Sequence, residues 1–168
     1  MPPEQPEFFF AGEYSGKLDE QPRLSIPIDF RRALKEGGEN ELVFCQGLDN
    51  STCVFPRKYF QWHSKSKNNY PTTLLENFHI NIAIYRTSFR RLMDSQGRVT
   101  LPPFALERLG QREVVFVGCG NFFSIWDKPA YEAYLKDKAL TPDQAWEELQ
   151  KNEERKKGYS ISHEHQNP

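Results

Sequence analysis

The segments LDEQPRLSIP (Leu18–Pro27) and MDSQGRVTLP (Met93–Pro102) contain the same motif, 75 positions apart. Both follow the pattern D-x-x-x-R-h-x-h-P, in which h is an apolar residue. In each copy the proline is followed by a short amphipathic stretch, an apolar run, a glycine-containing turn, a second apolar run and another amphipathic stretch. An internal repeat of this length marks a duplicated supersecondary unit, and each half is too small to be stable alone. The sequence therefore predicts two half-size units that share one core, with any functional site present twice.

The composition excludes a globally basic protein. The 168 residues carry 22 Lys and Arg against 23 Asp and Glu, a formal net charge of −1, so nucleic-acid binding needs a local basic face. Such a face is possible because residues 86–98 contain four arginines and one aspartate. The three cysteines have no zinc-ligand spacing and are expected to be reduced and mostly buried. No secretory signal or membrane-spanning run is evident, so we expect a cytosolic protein that does not enter a membrane.

Hydrophobic periodicity and turn residues predict the same order of elements in both copies. In the first copy we expect strands at 8–18 and 23–26, a helix from Pro27 to Gly37-Gly38, a hairpin of 42–45 and 53–55, and a helix from Pro56 to about Ser64. In the second copy we expect a strand at 98–101, a helix at 104–109, a hairpin of 114–117 and 122–126, and a helix capped by 127–129. Proline opens and glycine closes the short helices, as these residues usually do.

Two further segments lie outside the repeats. Between the copies we expect a helix at 72–83, followed by an extended segment at 84–92. One face of that helix is expected to pack through Leu74, Leu75, Phe78 and Ile82. Residues 141–143 signal the start of a charged helix that reaches about Lys157, with a polar tail beyond it. The predicted division is a first unit at 8–66, a linker helix at 67–83, a second unit at 84–138, and a charged helix with polar tail at 139–168.

The aspartate and the arginine of each motif are the candidate functional pair. An aspartate at the head of a turn accepts hydrogen bonds from the backbone amides that follow, and its carboxylate can orient a guanidinium four positions later. A guanidinium of fixed direction loses little entropy when it binds a phosphate or a guanine edge through two parallel hydrogen bonds. The alternative is that each pair only stabilises its turn, where a surface ion pair contributes at most about 1 kcal/mol. The repetition of the pair in the same context favours DNA recognition.

The doubled motif resembles the MraZ family, in which each half resembles the swapped-hairpin AbrB/MazE DNA-binding fold. The resemblance is carried by both D-x-x-x-R segments with the h-x-h-Pro that follows each, by GLD from Gly47, and by VVFVGCGNFFSIWD from Val114. It covers about Phe10 to Leu135. It implies an α+β fold of two tandem AbrB-like swapped-hairpin units with pseudo-two-fold symmetry, in which short strands are flanked by helices.

The same resemblance implies a transcriptional regulator of the bacterial division and cell-wall gene cluster. Such a protein is expected to bind repeated elements of promoter double-stranded DNA as a ring-shaped homo-oligomer in the cytoplasm, associated with the nucleoid. Occupation of the promoter predicts repression, with activation as the alternative. The residues expected to contact DNA are the motif pairs and their basic neighbours: Asp19, Arg23, Asp94, Arg98, Lys17, Arg31, Arg32, Arg90 and Arg91.

The two motif loops differ immediately before the arginine. The family pattern has a basic residue and then glycine there, whereas this chain has Gln21-Pro22 in the first loop and Gln96-Gly97 in the second. Glycine can adopt positive φ, but proline holds φ near about −65°. If Gly97 uses that freedom, the two loops cannot share one backbone conformation.

The main alternative function is an antitoxin-like interaction module whose segment 141–168 folds onto a toxin. Such a tail should carry apolar anchors, and after Trp146 and Leu149 the sequence offers only Tyr159 and Ile161. Co-purification of a stoichiometric small partner would favour this alternative.

An enzyme is not expected. Ser25, Thr100 and Ser124 lie in no nucleophile turn and have no evident histidine base. His63 and His79 lack partners at metal-ligand spacing, and the terminal His163-Glu164-His165 run is at most a weak metal ligand. The sequence predicts no metal and no cofactor.

Overall fold

The computed structural model describes residues 4–67, 75–110 and 112–164, and the side chains of 4–65, 78–110 and 112–155. Its strands are β1 (Glu13–Lys17), β2 (Arg23–Ser25), β3 (Glu41–Gln46), β4 (Thr52–Pro56), β5 (Phe89–Leu92), β6 (Arg98–Thr100), β7 (Glu113–Gly118) and β8 (Phe123–Asp127). Its helices are α1 (Ile28–Glu36), α2 (Arg57–Lys67), α3 (Leu75–Tyr85), α4 (Pro103–Arg108), α5 (Lys128–Asp137) and α6 (Pro142–Glu164). Two compact units divide the chain, Met1–Glu132 with these eight strands and Ala133–Pro168 with the end of α5 and with α6.

The two sequence copies exchange their first strands. Strand β1 of the first copy pairs antiparallel with β7 of the second, and β5 of the second copy pairs antiparallel with β3 of the first. The six-stranded sheet has the order β1-β7-β8-β4-β3-β5, so the two hairpins lie at its centre and the exchanged strands form its edges. Neither copy can complete its part of the sheet alone. The predicted α+β fold of two interleaved swapped-hairpin units is confirmed.

Strands β2 and β6 form a separate two-stranded ribbon on the pseudo-two-fold axis. In this ribbon Leu24 lies directly opposite Val99, its counterpart 75 positions later. In the larger sheet Cys53 lies opposite Ser124, and each of these residues precedes the next helix by four positions. The symmetry predicted from the repeated motif therefore relates the strand pairs as well as the sequence.

One apolar core fills the space between the six-stranded sheet and the ribbon. Leu24 and Val99 point into it from the ribbon, and both are almost fully buried. Phe30 of α1 packs against Phe10 and Phe123 with ring centroids 5.3 and 5.0 Å apart. Each fully buried side chain of this size contributes roughly 1.5–3 kcal/mol to folding. The inner face of the ribbon is thus held against the core, and its opposite face points away from the core.

Helix α1 begins and ends where the sequence predicts. Pro27 precedes it with φ −51°, and Gly37 and Gly38 follow it, the latter with φ +60°. Proline is preorganised for a helix start, and glycine tolerates the left-handed backbone at a helix end. The helix buries Phe30 and Leu34 and turns its basic side chains away from the core.

The prediction for the segment between the copies is wrong in two respects. Helix α3 continues to Tyr85, so the extended segment is only β5 rather than all of 84–92. The expected packed face is absent in the single chain, because Phe78 and Ile82 are 54% and 45% exposed. Apolar residues at every second position of this helix spread around its circumference, so no single face can cover them. The predicted residues 72–74 lie outside the described part of the chain, and the side chain of Leu75 is not described.

The C-terminal helix is longer than predicted. Helix α6 continues to Glu164, past the expected end near Lys157. No helix in the described ranges is long and apolar enough to cross a membrane. The division at 8–66, 67–83, 84–138 and 139–168 stays a prediction.

Candidate nucleic-acid interface

In the first motif loop, Asp19 holds both the turn and the arginine. Its Oδ1 accepts hydrogen bonds from the backbone amides of Gln21 (2.8 Å) and Arg23 (3.1 Å). Its Oδ2 accepts a 2.8 Å hydrogen bond from Arg23 Nε. Partial desolvation alone would raise the pKa of Asp19, but the hydrogen bonds from Arg23 and Gln21 hold this pKa below its ordinary value. The direction of the Arg23 side chain is therefore set by its own turn.

The second loop repeats this arrangement around Asp94. Oδ1 accepts from the backbone amides of Gln96 and Arg98, both at 2.9 Å. Oδ2 accepts from Arg98 Nε at 2.9 Å and lies 2.8 Å from Arg98 Nη2. The backbone hydrogen bond from Arg98 is the main cause that lowers the pKa of Asp94. Each motif thus presents a carboxylate-anchored guanidinium.

The two loops reach this shared arrangement by different backbones. Gly97 has φ +78°, as the sequence comparison with Pro22 anticipated, and its amide donates to the Asp94 carbonyl at 3.0 Å. Pro22 has no amide hydrogen and cannot adopt that φ. Both carbonyls nevertheless join the loops to the ribbon, since Gly97 O accepts from Ile26 N and Pro22 O accepts from Leu101 N. The loops are equivalent in their anchoring but not in their backbone.

The motif arginines lie on one face of the ribbon. Side chains alternate along a strand, and the buried Leu24 and Val99 define the inner face. Arg23, opposite Thr100, and Arg98, opposite Ser25, therefore share the outer face. Diagonal neighbours in such a pair are roughly 7–8 Å apart. Their side chains are 28% and 31% exposed, so both guanidinium groups are held and still accessible.

Arg31 and Arg32 of α1 point to different surroundings. Arg31 Nη1 donates a 3.3 Å hydrogen bond to the carbonyl of Gln96, which places its side chain against the second motif loop. Arg32 Nη1 instead pairs with Asp29 Oδ1 at 3.1 Å, and the other oxygen of Asp29 accepts from Tyr14. The structure therefore brings Arg31, but not Arg32, to a motif loop.

The three remaining predicted cations are distributed over both faces of the large sheet. Lys17 lies opposite Glu113 on the face away from the ribbon. Arg90 lies on that same far face, where its Nε is 3.3 Å from Glu41. Arg91 alternates to the ribbon side, at the sheet edge, with its guanidinium 5.9 Å from the ring centroid of Phe89. Strand register separates neighbours that the sequence groups together.

Sequence reasoning missed Lys35, which lies one helical turn after Arg31. The two side chains line a cleft of about 530 Å³ between α1 and the second loop, together with Asp94, Ser95 and Gly97. Residues four apart share one face of a helix. The i, i+4 spacing of Arg31 and Lys35 was the sequence signal that could have shown their common face, but the sequence alone does not place that face beside the second loop.

Metal binding and thiol chemistry are the other possible kinds of site among the described residues. Among them, no group of three His, Cys, Asp or Glu side chains is placed to hold a metal ion. Burial raises the pKa of the Cys53 thiol to about 11, so this group is protonated at neutral pH. The three cysteines are free, but Cys119 is exposed, and the expectation of mostly buried thiols is wrong for it. Cys119 lies in the turn between β7 and β8 rather than within a strand, which explains its greater exposure. The terminal His165 lies outside the described residues.

A family model described as "MraZ protein, putative antitoxin-like" matches residues 9–75 and 85–157, one match for each copy of the repeat. The chain belongs to the MraZ family. A relative from Dehalococcoides mccartyi named "Transcriptional regulator MraZ" is 30% identical over 148 residues, which cover 86% of this chain and 99% of that protein. Relatives of the same name from Leifsonia xyli and Paenarthrobacter aurescens are each 34% identical, over 75% and 77% of this chain and 86% and 88% of their own lengths.

These matches confirm that the chain belongs to the family predicted from the doubled motif. The relatives are named as regulators of transcription, and the family is not one of enzymes. The chain is accordingly a DNA-binding transcriptional regulator without an enzymatic role.

Proposed function

We propose that the protein is a sequence-specific repressor of the bacterial division and cell-wall gene cluster. It binds repeated elements of the promoter through its two motif loops, as a ring-shaped homo-oligomer associated with the nucleoid in the cytoplasm. Arg23 and Arg98 read base edges in the major groove, and Asp19 and Asp94 hold them in position. Repression follows because the bound oligomer blocks access of the transcription machinery to the promoter.

The observation that carries this proposal is the shared outer face of the ribbon. Two guanidinium groups project from it, and each is fixed by the aspartate of its own loop. A fixed guanidinium loses little conformational entropy on binding and can form a bidentate contact with guanine. A two-stranded ribbon is also narrow enough to enter the major groove. Arg31 supplies a phosphate contact beside the second loop, whereas the positions of Lys17, Arg32 and Arg90 leave them outside the proposed contact surface.

Exposed apolar residues support the oligomer. Helix α3 presents large hydrophobic side chains that the single chain only partly covers: Phe78, Ile80, Ile82, Ile84 and Tyr85. Apolar surface of this kind is a common mark of subunit contacts. We propose that α3 packs in the interface between subunits, and sedimentation of the purified protein would give the number of subunits.

Binding measured as a function of salt tests the proposal. The purified protein should shift a duplex from its promoter region at concentrations that leave a shuffled duplex unbound, and the logarithm of its affinity should fall steeply with the logarithm of salt concentration. A reporter placed behind this promoter should become more active when the protein is removed. Equal affinity for the shuffled duplex, or a flat salt response, would reject DNA readout by this surface.

A partner-binding role for α6 is the second candidate. Trp146 and Leu149 are 68% and 53% exposed on this helix, and the family description includes the words antitoxin-like. Purification from the native host should recover the chain without a stoichiometric small protein if DNA binding is its main role. Recovery of such a partner, lost on truncation after Leu140, would establish this second function.

A further inference from the structure

The two motif loops have different surroundings although they hold their arginines alike. Arg31 of α1 lies against Gly97, where a methyl group would come within 2.6 Å of Arg31 Nη1. A residue other than glycine would have to displace the Arg31 side chain from this place. In the other copy, Pro22 occupies the position of Gly97, and Leu106 occupies the position of Arg31. The first loop therefore lacks both the glycine beside which the guanidinium packs and the arginine itself.

Arg31 is held in place but is not fully paired. Its Nη1 donates to the Gln96 carbonyl, whereas its Nε is buried without a hydrogen-bond partner among the described residues. Buried polar hydrogens are nearly always paired in folded proteins. A phosphate oxygen at the mouth of the neighbouring cleft would give an acceptor to the terminal guanidinium hydrogens of Arg31, though not to the buried Nε–H.

The cleft beside the second loop has a basic rim. Arg31 and Lys35 line it, and Lys35 has the uncharged counterpart Gly110 in the second copy. Glu39 also lines the cleft, but its carboxylate is occupied by the backbone amides of Asn40, Glu41 and Lys58. These hydrogen bonds hold the acid away from ion pairs with Arg31 and Lys35, although its charge remains and partly offsets theirs.

The charge around the first loop is balanced instead. Glu20 occupies the position that Ser95 has in the second loop. A further cation is Arg112, whose backbone carbonyl accepts a hydrogen bond from Leu18 N and so brings its chain beside this loop. The first loop then has Arg23 and Arg112 against Asp19 and Glu20, whereas the second loop and its cleft have Arg31, Lys35 and Arg98 against Asp94 and Glu39.

We propose that Arg31 and Lys35 form a phosphate clamp at the second loop only, so that each ribbon binds DNA in one orientation. This inference rests on the proposed DNA-binding function. The second loop is the tightly held side of the contact, with a backbone phosphate of the duplex in the cleft. A pseudo-symmetric ribbon thereby distinguishes the two ends of a recognition element.

Substitution of the clamp residues in the full-length protein tests this. Two single substitutions, Arg31→Gln and Lys35→Gln, should weaken binding to promoter and shuffled duplexes alike. Each should lower the slope of log affinity against log salt by about 0.9 for every subunit that contacts DNA. Arg32→Gln is the matched control, since Arg32 pairs with Asp29 away from the loops, and it should leave both quantities unchanged. Circular dichroism confirms the fold of each variant.

Phosphate ethylation interference tests the orientation. With the wild-type protein, ethylation should weaken binding at phosphates on both sides of each element, and Arg31→Gln or Lys35→Gln should abolish the effect on one side only. The proposal is overturned if both variants match Arg32→Gln, or if they lose interference equally on both sides. Failure of the wild-type protein to bind any duplex would instead reject the function on which the proposal rests.

Discussion

At the scale of single residues, one carboxylate in each motif does two tasks. One oxygen of Asp19 closes the turn through two backbone amides, and the other fixes the guanidinium of Arg23. Asp94 divides its oxygens in the same way. The D-x-x-x-R spacing follows from this geometry, because the arginine must reach back to the head of its own turn.

Acid should destabilise the folded chain through these aspartates. Their pKa values lie below the ordinary 3.8 in the folded chain. A group with a lowered folded pKa stabilises the fold above its unfolded pKa, and this contribution is lost as the pH falls through the folded value. Urea unfolding at a series of pH values around and below 3.8 should show a fall in the free energy of unfolding. The double variant Asp19→Asn/Asp94→Asn should show a shallower fall, and parallel profiles would contradict this account.

The motif pairs were predictable from sequence because all their contacts are local. The aspartate and its arginine are four residues apart, and repetition distinguished them from chance pairs. The role of Arg31 beside Gly97 was not predictable in this way, since it joins residues 66 positions apart. Only the folded chain shows why one of two adjacent arginines meets the loop.

At the scale of elements, the second loop depends on the positive φ of Gly97. Gly97→Ala should destabilise the protein by more than about 1 kcal/mol, because a side chain is strained at this φ and meets Arg31. Gly110→Ala is the matched control. Nothing lies within 4 Å of a methyl group there, so its effect should stay within about 0.5 kcal/mol. Thermal unfolding of both variants would check this, and equal stabilities would contradict the assigned strain.

Helix and hairpin positions followed from local signals, but the facing of strands did not. Pro27 and Gly37 fixed α1, and the turn after Gln46 fixed the first hairpin. The sequence grouped Arg90 with Arg91, and strand register then placed them on opposite sides of the sheet. Successive side chains of a strand point to opposite faces of the sheet, so Arg90 and Arg91 must lie on different faces. Which of the two faces the ribbon depends on the pairing of β5 with β3. That pairing is long-range and has no local signature.

At the scale of the whole molecule, exchange of strands makes each copy incomplete. Strand β1 is an edge of the sheet half that contains β7 and β8, and β5 is an edge of the other half. The shared ribbon likewise takes one strand from each copy. The repeat predicted this interdependence, whereas the exposed apolar residues of α3 became apparent only in the folded chain.

Separated copies should therefore fail to fold as monomers. Fragments 1–74 and 75–168, expressed alone, should be unfolded or form homodimers that restore the exchange, because each lacks the partner strand for its ribbon and its sheet edge. Mixing them should regenerate a one-to-one complex with the circular dichroism of the intact chain. If either fragment gave a folded monomer, by sedimentation and by the dispersion of its amide chemical shifts in an NMR spectrum, the exchanged topology would be contradicted.

The affinity of Arg23→Ala and Arg98→Ala for promoter DNA is the most direct test of the account. Each bidentate contact should contribute about 1–3 kcal/mol, and its loss from every subunit should abolish the shifted band while the oligomer mass and circular dichroism stay unchanged. Arg32→Ala, the matched control, should bind like the wild type. Wild-type affinity in both motif variants would show that the paired guanidinium groups on the ribbon are not the DNA-binding surface.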